Sequence, residues 1–219
     1  MNTKNPLRGL LSFNFYSASS NAVIIAILAL VLAAVLLITG LPVMYNFFVM
    51  IAIAGFPYVI MMGMGGKTSY KWERFQITMP LRRSDLVNAF YLSIFLTSIV
   101  GIPLVAIITY LAYILHEGIF DKGLIITFFN FSALFFSMPL LMAGLLFPLA
   151  CTKVGESRGE ALFTLCLFPA VANSVFVPML GSSLGLPEEL LALPVLVLAL
   201  LVFVVSYFIL RQLYAKMDF

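Results

Sequence analysis

This chain of 219 residues is 63% hydrophobic and only 10% charged, with a mean hydropathy of +1.13. So few charges cannot coat a soluble domain of this size, so the bilayer must be the solvent. The formal net charge of +3 is not a nucleic-acid signature, because it hides a strong asymmetry between loops.

Uncharged runs cover residues 9–66, 86–115, 123–152, 161–187 and 190–210. A helix needs ~20 apolar residues to cross a hydrocarbon core of ~30 Å. The first run fits two crossings with a break near Gly40-Leu41-Pro42, and the others fit one each. The expected fold is therefore all-α and polytopic, a single transmembrane domain over 1–219 with helices near 21–40, 43–65, 87–115, 124–151, 161–180 and 190–210. The runs do not alternate apolar with polar residues, which argues against barrel strands. Two helices, 87–115 and 124–151, exceed a crossing and should tilt or extend into water.

In chain order, Leu7, Leu10, Leu11 and Phe15 recur at helical spacing, with Arg8 and Ser12 on another face. Residues 1–20 read as a short helix in the inner interface. The first apolar segment is full length and has no cleavage pattern, so it should stay in the membrane. It carries Ala22, Ala26, Ala29 and Ala33, a spacing that lets helices approach closely. The second crossing contains Pro57, which should kink it. Gly63, Gly65 and Gly66 loosen its inner end, where Met61, Met62 and Met64 are soft packers. Two readings fit, a flexible cytoplasmic gate or a helix terminus filled with Met.

Pro103, Pro139, Pro148, Pro169, Pro178 and Pro194 punctuate the later helices, a pattern more typical of transporters than of anchors. The stretch 173–183 should interrupt the bundle near its outer face.

The loops set orientation. Those on one side, including both termini, hold 11 of the 12 basic residues, and the other side holds only Lys122. The positive-inside rule places both termini in the cytoplasm. Cys151 and Cys166 fall at or inside the membrane and suggest neither a disulfide nor a metal site.

Catalytic constellations are missing from the sequence. No ionisable residue falls mid-helix, where ion-coupled carriers need one. The lone histidine, His116, stands at the outer end of the third helix and reads as structural. Gly65-Gly66-Lys67-Thr68 ends like a phosphate-binding loop, but Met61 stands where the first Gly is required. The chain is therefore expected not to hydrolyse ATP, and not to be an enzyme.

The densest charge lies at 67–85, with Lys67, Lys71, Glu73, Arg74, Arg82, Arg83 and Asp85. Trp72, Phe75, Gln76 and Met79 share one helical face, so 70–79 reads as an amphipathic helix along the membrane surface. Pro80 ends it, and Ser84 should cap the next helix, with Asp85 in its first turn.

The residues Trp72-Glu73-Arg74-Phe75, Thr78-Met79-Pro80-Leu81-Arg82-Arg83, Leu86-Val87 and Tyr91-Leu92 resemble the loop between helices two and three in the small six-helix permease subunits of bacterial ABC-type exporters. This is the type-2 ABC permease family, and among its members the chain is similar to permeases for membrane-active peptides. It differs from the family pattern at Lys67 and Thr68, where an acidic pair is usual, and at Phe90, where Lys is usual. The resemblance implies a homo- or heterodimeric permease in the bacterial cell membrane, docked to a separate ABC ATPase that holds ATP and Mg. No cofactor would be bound by this chain. Tyr70, Trp72, Glu73, Arg74, Phe75, Met79, Pro80, Arg82 and Arg83 would make the coupling contact. Lys153, Glu156 and Arg158 would make a smaller second one. Separately, on the gate reading of the second crossing, Pro57, Gly63, Gly65 and Gly66 would form the gate or hinge. Membrane lipids are the other expected partner, through the basic residues of the loop.

Two other readings stay open on the sequence. One is the substrate-binding membrane subunit of a vitamin importer, although the outer loops here are short and the largest loop is inside. The other is a membrane scaffold or immunity protein with no transport role.

Overall fold

The computed structural model describes residues 6–65, 83–116, 122–150, 165–172, 179, 181–185, 187 and 190–216. Its described residues are helical, with short turns and no strands. We number the main helices α1 (Pro6–Thr39), α2 (Pro42–Met50), α3 (Phe56–Gly65), α4 (Arg83–Leu115), α5 (Lys122–Ala150) and α6 (Ala192–Lys216). A five-residue π-helix, Ile51–Gly55, joins α2 to α3, so the three pieces make one crossing.

Among the described residues, five stretches are long and apolar enough to cross a membrane: Asn21–Thr39, Val43–Met62, Ser84–Leu115, Asn130–Leu149 and Ala192–Leu213. They match five of the six expected crossings. Of the remaining one, expected at 161–180, residues 165–172 are described and helical. Of the stretch expected to interrupt the bundle, 173–183, residues 173–178 and 180 lie outside the described residues, and 179 and 181–183 are helical. A turn follows at 184–185, with Gly185 at φ 74°.

The break between the first two crossings lies at Gly40-Leu41. Gly40 has φ +65°, which suits glycine. Leu41 is extended, as the residue before a proline prefers, and Pro42 opens α2 where its missing N–H costs nothing.

Two details differ from the sequence reading. The N-terminal segment is helical, but it runs without a break into the first crossing as one helix of 34 residues, about 51 Å long. It is drawn in because Leu10 is buried with Leu86 and Ala89, with Leu7 and Phe90 packed around them. The buried stripe is Leu10, Asn14 and Ala18, and the expected Phe15 faces outward. Ser84 is not an N-cap, because α4 already includes Arg83; Asp85 does lie in the first turn.

We call the end of the bundle that carries the start of α1 and the start of α4 the near end. Phe147 of α5 and Tyr207 of α6 meet α4 at Phe90 and Tyr91, so α5 and α6 also finish there. The α4 helix is the hub, packing on α1, on the second crossing, on α5 and on α6. The most extensively packed helix pair among the described residues is α5 with α6. They meet where a Cβ on Gly144 would stand 3.2 Å from the backbone of Phe203. Such contacts replace the hydrophobic drive that is missing between helices in lipid.

Candidate functional site

Most of the expected coupling contact, namely Tyr70, Trp72, Glu73, Arg74, Phe75, Met79, Pro80 and Arg82, lies outside the described residues. So do Lys153, Glu156, Arg158 and Gly66. Arg83 is the first residue of α4, and Gly63 and Gly65 are in the last turn of α3. The described site is therefore what those flanks attach to.

The first three turns of α4 are tied to three helices at once. On one face, Asn14 of α1 donates through Nδ2 to Ser93 Oγ at 3.0 Å. The Ser93 hydroxyl, while accepting that bond, donates its own proton to the Ala89 carbonyl at 2.6 Å. On another face, Tyr207 of α6 donates to Asn88 Oδ1 at 2.7 Å, and the Tyr91 hydroxyl bonds Ser206 Oγ. The Tyr91 ring packs edge-on to Phe147 at 5.3 Å and tilts against Phe203 at 4.8 Å. Val87, Tyr91 and Ile94 are buried in the main core with Phe147, Phe203 and Leu210. Each interhelical hydrogen bond of this kind is worth roughly 0.6–2 kcal/mol in a membrane. Thr97 and Ser98 bond back to their own helix instead, at 2.8 and 2.9 Å, which hides their hydroxyls from lipid.

A second tie holds α4 to α1 at the far end. His116 Nε2 donates to the Leu37 carbonyl at 3.0 Å, one of the carbonyls left over at the end of α1. The ring lies over Gly40, where a Cβ would come within 2.9 Å of Nδ1. This gives the lone histidine the structural role that its position suggested.

The expected hinge is marked by more than its proline. Pro57 is buried two residues after the π-helix. Having no N–H, it can donate neither to Ile53 O, as in an α turn, nor to Ala52 O, as in a π turn. Ala52, Ile53, Ala54 and Gly55 are all buried. Across from them stands Gly101 of α4, where a Cβ would lie 2.2 Å from the Ala52 carbonyl oxygen. Backbone therefore meets backbone, and any side chain at 101 is excluded. On the other side of the π-helix, a Cβ on Gly55 would meet Ile25 of α1 at 2.9 Å.

Sequence reasoning did not single out Gly101, Asn14, Asn88, Ser93 or Tyr207. A signal for the two asparagines was available, because a lone amide in a long apolar run must find a partner. Gly101 carried no comparable mark, since only the partner backbone makes it necessary. Among the described residues no group of His, Cys, Asp or Glu could hold a metal ion.

The arrangement contains no reactive centre among the described residues. What it can do is mechanical: whatever displaces the first turns of α4 also pulls on α1, α5 and α6.

The family model described as ABC-2 family transporter protein matches residues 9–215, which include every crossing described above. No curated protein and no solved structure matches the chain. The protein is a multi-pass membrane permease, and it belongs to the ABC-2 family of transporter proteins.

Proposed function

We propose that this permease exports its substrate by transmitting the motion of a separate ABC ATPase through residues 70–83 into the near end of α4. The observation that carries the reading is the hub at that end. Arg83 opens α4, and within the next ten residues Leu86, Asn88, Tyr91 and Ser93 engage α1, α5 and α6. A load applied at Arg83 thus reaches most of the bundle through α4.

In this reading ATP and Mg belong to the partner, because the sequence carries no phosphate-binding loop. Trp72, Phe75 and Met79 anchor the loop on the ATPase, and Arg74, Arg82 and Arg83 pair with its acidic residues or with anionic lipid. Lys153, Glu156 and Arg158 add a second contact. The bacterial cell membrane holds the chain with both termini in the cytoplasm, which the distribution of basic residues supports. A second permease subunit, identical or not, completes the path. Amphipathic peptides are the substrate class that the sequence resemblance favours. The permease needs two packings close in free energy, which the ATPase cycle selects in turn.

The test is co-purification with the ATPase subunit. Buried aromatic anchors commonly cost over ~2 kcal/mol when truncated. Trp72→Ala or Phe75→Ala should therefore weaken docking more than ~tenfold. Charge reversal at Arg82 and Arg83 should instead slow association, with a strong dependence on salt. If both aromatic variants retain the ATPase as the wild type does, the loop is not the coupling element.

A further inference from the structure

We propose that the π-helical turn Ile51–Gly55 is a register switch in the second crossing, and that Tyr58 is the residue whose hydrogen bonding the switch exchanges. The inference deepens the function proposed above and rests on its two-packing cycle.

Three independent observations converge here. First, a π turn is an α-helix carrying one extra residue, and such turns occur mostly as single insertions at functional sites. This one is enclosed: Ala52, Ile53, Ala54 and Gly55 are buried, and the Ala52 carbonyl lies against Gly101. Second, Pro57 can stabilise neither an α nor a π turn with its nitrogen. The two geometries are therefore closer in energy at this point than in an unbroken helix. Third, the hydroxyl of the next residue, Tyr58, is buried and has no hydrogen-bond partner among the described residues. A buried polar group left unpaired is rare and costs free energy in the packing that leaves it so.

The extra residue need not stay where it is. Moved past Tyr58 toward the near end, it would rotate the residues it passes by ~100° and shift them by ~1.5 Å along the axis. That rotation takes the Tyr58 hydroxyl out of the apolar cluster around Val59, Ile60, Met61 and Ile94. It also exchanges neighbouring faces. Met61 is fully buried and Met62 is 58% exposed in the present packing. The contact with Gly101 permits such movement because a bare Cα presents no knob that would fix the register. The present packing is the one with the unpaired hydroxyl, and the second is the one in which Tyr58 is bonded.

The experiment uses the full permease with its ATPase in lipid nanodiscs. A nitroxide on Met62→Cys reports lipid exposure through its collisions with dissolved oxygen. Exposure should fall when the complex is trapped with ATP and vanadate. Tyr58→Phe removes only the unpaired hydroxyl. It should favour the present packing by about tenfold, or ~1.4 kcal/mol, raising thermal stability while lowering ATP turnover by a similar factor. A purely structural Tyr58 would give the stability gain with no loss of turnover. Deleting Ala54 removes the extra residue and should also stop turnover in a variant that still retains the ATPase. If Tyr58→Phe turns over ATP as the wild type does, or if the Met62 label does not respond to trapping, the switch is refuted alone. If the wild-type chain does not bind the ATPase at all, the export reading and the switch fail together.

Discussion

The α4 helix is packed on one side by α1 and on another by the second crossing, and the two contacts are built on opposite plans. Against α1 it is fixed by side chains. Asn14 with Ser93 and Leu37 with His116 are both 79 positions apart, so the two helices run parallel in one register. The two ties stand about 23 residues apart on each helix, or about 34 Å. Against the second crossing it is held by apolar packing, with Val59 and Met61 beside Val87 and Ile94, and by close backbone approach. There the Ala52 carbonyl meets the bare Cα of Gly101, and the Tyr45 and Thr109 hydroxyls come no closer than 3.5 Å. The first plan sets a register and keeps it. The second relies on apolar packing and close approach, and its Tyr45–Thr109 hydrogen bond is long. A permease that must alternate between packings needs both, a rigid lever and a surface on which a neighbour can slide.

The largest effect should come from breaking the smooth contact. Gly101→Ala would put a methyl 2.2 Å from the Ala52 oxygen, and backbone cannot step aside as a side chain can. A loss of about 3 kcal/mol, the upper end of overpacking costs, is expected. Thermal unfolding of the purified protein in detergent measures it, and an unchanged midpoint would mean that the helices do not touch as described.

A smaller loss is expected from the far tie. His116→Ala removes the bond to Leu37 O and uncovers Gly40, for a cost of about 1 kcal/mol. Asn14→Ala should cost less, about 0.6 kcal/mol, because Ser93 keeps its bond to Ala89 O. The two sites share no partner, so their costs should add in the double variant. Strong coupling between them would show that the α1–α4 pair answers as one cooperative unit rather than through two separate bolts.

Much of this was legible in the residues. The breaks and lengths of the crossings follow from where charges and prolines stand, since a charge cannot sit in lipid and a proline cannot continue a ladder. Pro57 marked the unusual crossing, and the motif around Trp72 pointed to the family. The π turn was not legible, because five apolar residues, Ile51 to Gly55, suit either helix type. Asn14 was placed on a helix but not in the core, because Leu11 and Phe15 made an equally apolar stripe until α4 chose between them.

Composition and local stereochemistry alone place the chain in a bilayer and set where the five described crossings lie. Both are properties that each segment carries alone. That α4 is the hub, that Gly101 must be glycine and that the Tyr58 hydroxyl is stranded came from how the helices pack. Each of those depends on which surfaces meet. In an all-apolar chain every helix face is equally ready to be buried, so shape and a few hydrogen bonds choose among them.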